Sequence, residues 1–116
     1  MATIDLTATN FEQTVLDNEI VFVDFWASWC GPCRNFAPVY EAAADKHGDV
    51  VFGSVNTEEQ QQLAAAARVT SIPTLMAFKQ GQLVFSQAGA LPAPALEQVI
   101  TAVRDFDLAA AQQGDD

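Results

Sequence analysis

Two cysteines separated by two residues are the part of this sequence best suited to chemistry. Cys30 and Cys33 stand three positions apart in the segment Cys-Gly-Pro-Cys, where helix-forming sequence begins. Residues three apart on a helix are neighbours, with Cβ atoms roughly 5–6 Å apart, and a disulfide needs Cα atoms roughly 4.4–6.8 Å apart. The pair can therefore close or open a disulfide with little backbone movement. Gly31 leaves room for another molecule, and Pro32 suits a first helical turn.

The place of Cys30 before the first helical turn favours its reactivity. The thiolate is the reacting form of cysteine, and the N–H groups and dipole of a helix N-terminus stabilise it. We therefore expect Cys30 to be the nucleophile and Cys33 the resolving thiol. A purely structural disulfide and half of a zinc site are the alternatives. A closed zinc site needs four ligands, and the chain offers two cysteines and one histidine, His47, so we expect no metal.

An acidic residue interrupts the apolar stretch that leads to the cysteines. This stretch is rich in β-branched and aromatic residues and predicts a strand from about Glu19 to Ala27 that is buried on both faces. Alternation along the strand places Asp24 on the same face as Phe22 and Trp26, so an exposed Asp24 would require both aromatic residues to be exposed. We expect a buried carboxyl group with a raised pKa. Such a group is a candidate proton acceptor for the resolving thiol, Cys33.

Residues 23–34, Val-Asp-Phe-Trp-Ala-Ser-Trp-Cys-Gly-Pro-Cys-Arg, resemble the active-site signature of the thioredoxin family. The Gly-Pro pair is the version typical of thioredoxins of the bacterial type rather than of the wider superfamily. The similarity continues through Ser-Ile-Pro-Thr at 71–74 and Gly-Ala-Leu at 89–91, and it covers residues 4–106. The resemblance implies a thiol–disulfide oxidoreductase that reduces disulfides in client proteins. It also implies recharging by a thioredoxin reductase, with no cofactor bound to this chain.

The resemblance further implies how a client would bind. Pro73 is expected to follow a cis peptide bond and to pack beside the cysteines, so that the backbone of Ile72 can pair with an extended client segment. The implied apolar surface for the client comprises Trp29, Gly31, Pro32, Ile72, Pro73, Gly89 and Ala90.

Ser54 departs from the family pattern. It stands where many thioredoxins carry a lysine on the strand next to the buried aspartate. A hydroxyl group can donate a hydrogen bond but brings no positive charge, whereas a lysine favours the ionised carboxylate. We therefore expect the pKa of Asp24 to be higher here than in relatives with the lysine.

The predicted elements alternate between strands and helices along the chain. A capping box that starts at Thr9 predicts the first helix, and Gln80-Gly81 predicts the turn of a hairpin between residues 74 and 87. The order predicts an α/β fold with a mixed sheet and helices on both faces. The resemblance supplies the thioredoxin fold, with five strands and four helices. We expect one domain, residues 1–107, followed by a mobile acidic tail, residues 108–116.

Composition narrows the range of partners and compartments. The chain of 116 residues carries 15 acidic and 5 basic residues, a net charge of −10. Such a surface repels nucleic acid and anionic membranes, so we expect neither as a partner. The first residues lack the basic and apolar regions of a secretory signal, and both cysteines belong to one motif. These features predict a cytoplasmic protein, and we also expect it to be a monomer.

Two other functions remain compatible with the motif. The first is an oxidant or isomerase of an exported compartment, although such relatives usually carry other residues between the cysteines. The second is a non-catalytic binding module in which the fold serves as a subunit of a larger partner. The reduction potential of the cysteine pair distinguishes the first alternative, and a protein that does not reduce disulfides would indicate the second.

Overall fold

The computed structural model of the protein describes residues 2–113, with side chains as far as residue 110. Within that range the chain forms five strands and five helices. In chain order they are β1 (Thr3–Asp5), α1 (Phe11–Asp17), β2 (Ile20–Trp26), α2 (Gly31–Lys46), β3 (Val51–Asn56), α3 (Gln61–Ala66), β4 (Thr74–Lys79), β5 (Gln82–Ala88), α4 (Ala93–Asp105) and α5 (Leu108–Gln113).

The strands form one mixed sheet with β2 in the middle. Their order is β1-β3-β2-β4-β5. Both β1 and β2 run parallel to β3, whereas β4 runs antiparallel to β2 and β5. This arrangement confirms the predicted α/β fold with a five-stranded sheet. The carboxyl end of the central strand leads directly into the loop before α2, where the cysteines lie.

The central strand is buried on both faces, as its composition predicts. Ile20 and Phe22 pack on one face with residues of α2 and α4. Val21, Val23 and Phe25 pack on the other face with residues of α1 and α3. Because protein interiors are close-packed, these two apolar layers hold β2 in place. The end of the strand that carries the site is therefore rigidly supported.

The first helix starts differently from the prediction. The capping box predicted at Thr9 is wrong, because α1 begins at Phe11 and its N-cap residue, Asn10, makes no capping hydrogen bond. The Asn10 Oδ1 atom instead accepts a hydrogen bond from the amide of Thr7 at 2.7 Å. The polar side chain thus stabilises the loop after β1 and not the helix.

The region after α4 contains a helix that the sequence analysis did not include. Asp107 Oδ1 accepts a hydrogen bond from the amide of Ala110 at 3.2 Å, which is the geometry of an N-cap, and alanine-rich sequence follows. These two features explain why α5 forms as a fifth helix where a frayed end was expected. Residues 114–116 of the expected acidic tail lie outside the described residues. The division into a domain and a tail stays a prediction.

A buried lysine fastens the end of α4 to the sheet. Lys79, the last residue of β4, is 8% exposed. Its Nζ donates to the carbonyls of Val103, Arg104 and Phe106 at 2.9, 2.7 and 2.8 Å. The last carbonyls of a helix have no partner within the helix, so this ammonium group acts as a cap contributed by a distant strand.

Candidate functional site

The two cysteines form a disulfide at the N-terminus of α2. Cys30 is the N-cap residue of the helix, and its Cα lies 5.2 Å from that of Cys33. Cys30 Sγ accepts a hydrogen bond from the backbone N–H of Cys33 at 3.2 Å. The N–H groups of a helix N-terminus carry partial positive charge, so the same contact favours a thiolate on Cys30 when the disulfide is open.

The two sulfur atoms have different surroundings, although both side chains are buried. Cys30 is 4% exposed and Cys33 is 3% exposed, so exposure does not distinguish them. Cys30 Sγ lies 3.8 Å from the carbonyl oxygen of Ile72. Cys33 instead lines a partly open cavity together with Asp24. Cys30 therefore contacts the loop before β4, whereas Cys33 lies on the cavity that Asp24 also lines.

The loop that ends at Pro73 lies against the disulfide. The Ile72–Pro73 peptide bond is cis, as the resemblance implies. The carbonyl of Pro73 accepts a hydrogen bond from the amide of Gly89 at 2.7 Å. Gly89 has φ +104°, a conformation that favours glycine, and this contact brings the end of β5 next to the loop.

The seven residues of the implied client surface differ in exposure. Trp29 is 67% exposed, which agrees with a surface role rather than core packing. Pro32, Gly89 and Ala90 are also exposed, and Gly31 and Ile72 are half-buried. Pro73 is the exception, because its side chain is fully buried. It supports the loop from beneath instead of adding apolar surface.

Asp24 is buried, as its position in the strand predicts. Its side chain is 5% exposed. Burial raises the pKa of the Asp24 carboxyl group to about 7, because the charged form loses its hydration. Within the described residues, no protein donor reaches Asp24 Oδ1. A carboxyl group in this environment can hold or release a proton near neutral pH.

Asp24 lies on a cavity and is not packed solidly among aromatic side chains. The cavity has a volume of about 370 Å³ and is also lined by Cys33, Tyr40, Glu41 and Ser54. Tyr40 is buried, and its hydroxyl donates to the carbonyl of Gly53 at 2.7 Å. Cys33 and Asp24 therefore line the same cavity.

Three residues that brace the active-site loop were missed by the sequence analysis. Ser28 Oγ donates to Glu58 Oε1 at 2.9 Å, and the Ser28 amide donates to the same oxygen at 3.3 Å. Arg34 Nη1 donates to the carbonyl of Ser28 at 2.9 Å. Glu58 is 30 positions from Ser28 in the chain, so no local pattern could have identified the pair.

Neither a metal centre nor a membrane segment is evident in the part of the chain that the structure describes. No three His, Cys, Asp or Glu side chains between residues 2 and 113 group closely enough to hold a metal ion. None of the helices in that range has the length and hydropathy needed to traverse a bilayer.

Comparison with known proteins agrees with the geometry of the site. The family profile "Thioredoxin" matches residues 2–102. A Streptomyces coelicolor protein with the provisional name thioredoxin 2 is 54% identical over 107 residues, which are 92% of this chain and 80% of that protein. Thioredoxin 1 of a Nostoc species is 46% identical over 101 residues, 85% of this chain and 94% of that protein.

A solved structure extends the similarity to three dimensions. A mutant thioredoxin from Halobacterium salinarum superposes with a TM-score of 0.84 at 31% identity, covering 90% of this chain and 93% of that one. The residues 2–102 that the family profile matches include the disulfide, the cis-proline loop and the buried aspartate. Since the family profile and close relatives both span this site, the chain belongs to the thioredoxin family of thiol–disulfide oxidoreductases.

Proposed function

We propose that the protein reduces client disulfides with Cys30 as the nucleophile and Cys33 as the resolving thiol. The Cys30 thiolate attacks one sulfur of the client disulfide, and an S–S bond forms between the two proteins. The client disulfide breaks, and its second sulfur leaves as a thiolate. The observation that carries this assignment is the hydrogen bond from the Cys33 N–H to Cys30 Sγ at 3.2 Å, which favours negative charge on Cys30.

The second step releases the client. The Cys33 thiolate attacks Cys30 Sγ, the mixed disulfide breaks, and the remaining client sulfur leaves as a thiolate. Two electrons have then passed from the dithiol to the client, and the Cys30–Cys33 disulfide is restored. The Cys33 thiol first has to lose its proton, and we assign the acceptor to Asp24. A carboxyl pKa of about 7 supports this role, because it allows Asp24 to take up and return a proton near neutral pH.

The client segment would lie beside the exposed indole of Trp29. The backbone of Ile72, whose carbonyl is 3.8 Å from Cys30 Sγ, would pair with an extended client strand. Gly31, Pro32, Gly89 and Ala90 would provide the remaining apolar surface, and Pro73 would hold the loop in place. Hydrogen bonds to the client backbone explain how clients of different sequence could be accepted, because such bonds do not depend on side chains.

Each cycle leaves the protein oxidised, so an external reductant has to restore the dithiol. We assign this step to a thioredoxin reductase in the cytoplasm, acting on a monomer. Two features support these assignments. Both cysteines belong to the redox motif, which suits a reducing compartment. One chain also contains the complete site, so no second copy is needed for the chemistry.

The proposed function is tested by reduction of insulin disulfides with dithiothreitol as the electron source. The protein should accelerate insulin reduction, and Cys30→Ser should abolish the acceleration. A non-catalytic binding module would leave insulin reduction at the rate of dithiothreitol alone.

The reduction potential against glutathione then separates a reductase from an exported oxidant. A strongly reducing value supports the proposal, and an oxidising value supports the exported alternative.

A further inference from the structure

Two buried carboxylate oxygens lack a protein partner, and both belong to residues of the same cavity. They are Asp24 Oδ1 and Glu41 Oε1, and within residues 2–110 no other buried side-chain nitrogen or oxygen is left unpaired. A buried polar atom without a hydrogen bond costs about 1–3 kcal/mol. Two such atoms around one cavity of about 370 Å³ indicate that the cavity holds water, because water can supply the missing hydrogen bonds.

Glu41 lies on the same cavity as the buried Asp24 and Cys33. Asp24 and Cys33 line the cavity at its buried end. Glu41 of α2 also lines the cavity and is half-buried, so it reaches both the cavity and solvent. Its second oxygen, Oε2, accepts a hydrogen bond from Thr3 Oγ1 at 2.8 Å. This bond from β1 fixes the carboxyl group at the cavity wall.

We propose that Glu41 is the exit for the proton that Asp24 receives from Cys33. This inference rests on the proposed role of Asp24 as proton acceptor. The Cys33 S–H bond breaks, its electron pair stays on sulfur, and the proton binds the Asp24 carboxylate. Asp24 then passes a proton through cavity water to the Glu41 carboxylate, which releases it to bulk solvent. Both carboxylates return to their starting charge, and no electrons are transferred in this part of the cycle.

The other ionisable groups around the cavity are less suited to this task. Tyr40 uses its hydroxyl to donate to Gly53, and burial among the nearby acidic groups raises its pKa well above the ordinary value, so it stays protonated. Arg34 remains charged and donates to the carbonyl of Ser28. Asp5 lines the cavity but is exposed, so its carboxyl group lies in solvent and not at the buried part of the cavity. Glu41 combines partial solvent access with a buried oxygen that no protein group contacts.

The decisive variant is Glu41→Gln, which keeps an oxygen for Thr3 but cannot carry the proton. We expect the single-turnover rate of insulin reduction at pH 7 and low buffer concentration to fall about three- to tenfold. This is less than the roughly 10²–10⁴-fold effect of a direct acid or base, since water offers a slower route. Raising the concentration of imidazole, a small proton acceptor, should restore the rate of Glu41→Gln without changing that of the unsubstituted protein. Asp5→Asn, which removes a neighbouring charge, should behave like the unsubstituted protein.

A set of double variants separates this inference from the proposed function. In an Asp24→Asn background the Glu41→Gln change should have no further effect, because no proton arrives for Glu41 to accept. If Asp24→Asn is slow but Glu41→Gln matches the unsubstituted protein, the inference fails and the role of Asp24 stands. A loss in Glu41→Gln that imidazole does not restore, or that persists in the Asp24→Asn background, also overturns the inference. If Asp24→Asn itself turns over normally, the proposed role of Asp24 fails.

Discussion

Asp24 and Ser54 lie directly beside each other on parallel strands β2 and β3, paired in the sheet register. The resemblance to the thioredoxin family implies a lysine at this position in many members. Here the neighbour of the buried carboxyl group is a neutral hydroxyl. The carboxyl group therefore receives no positive charge from this strand, and burial alone accounts for its raised pKa.

A lysine at position 54 should lower the pKa of Asp24. In Ser54→Lys the ammonium group would stabilise the ionised carboxylate, so the titration midpoint should move below about 7. The acid limb of the pH–rate profile for insulin reduction should move in the same direction. An NMR titration of the Asp24 carboxyl carbon measures the midpoint. Ser54→Met, which adds length without charge, is the control, and equal midpoints in the lysine and serine proteins would contradict the electrostatic account.

Asp24→Asn should stabilise the oxidised protein at neutral pH and not in acid. The carboxyl pKa of Asp24 is raised from 3.8 to about 7 in the folded state. The folded protein therefore binds this proton more tightly than the unfolded chain does. The favourable contribution is complete below the unfolded pKa of about 3.9, and it is lost as the pH rises through the folded pKa.

The expected gain in the free energy of unfolding reaches about 4 kcal/mol at pH 7 and above, at about 1.4 kcal/mol for each pH unit between the two pKa values. At pH 3 the gain should be close to zero. Denaturant melts of both proteins at the two pH values measure the difference. A gain of the same size at pH 3 and pH 7 would show that Asp24 does not carry a buried charge at neutral pH.

Replacing Lys79 should destabilise the fold through the end of α4. Lys79→Met keeps the apolar stem but removes the three hydrogen bonds to the carbonyls of α4 and the residue after it. Loss of the donor removes the Lys79 bond from the carbonyls of Arg104 and Phe106, while Val103 keeps its bond from the Phe106 amide, and we expect a loss of about 2–4 kcal/mol in the free energy of unfolding. Lys46→Met is the matched control, because Lys46 is 67% exposed and its ion pair with Glu97 is 3.9 Å long. Equal effects of the two substitutions in denaturant melts would rule out the capping role.

Arg68→Gly should stabilise the protein at the end of α3. Arg68 has φ +61°, a left-handed conformation that is strained for any residue with a Cβ atom. Its amide donates to the carbonyl of Ala65, and the amide of Val69 donates to that of Ala64, as at helix ends where glycine is usual. We expect a gain of about 0.5–1 kcal/mol in the free energy of unfolding. Arg68→Ala removes the charge but retains the Cβ atom, so a comparable gain in that variant would attribute the effect to charge.

The sequence was sufficient for the parts of the site that local chemistry determines. Cys30 and Cys33 could be paired from their spacing at a helix start, and the burial of Asp24 followed from strand alternation. Glu41 was not identified, because its partner Thr3 lies 38 positions away and comes next to it only when β1 joins the sheet. The capping role of Lys79 was missed for the same reason, since its acceptors lie 24 to 27 positions further along the chain.

The most direct test of the account is the fate of a mixed disulfide in the two cysteine variants. Reduced Cys33→Ser and reduced Cys30→Ser are each incubated with insulin, and the products are separated without reductant and weighed by mass spectrometry. Because Cys33 is assigned to release the client, Cys33→Ser should accumulate a covalent adduct with insulin through Cys30. Cys30→Ser should accumulate none. An adduct that forms through Cys33 in Cys30→Ser, and not through Cys30 in Cys33→Ser, would reverse the assigned roles and contradict the account.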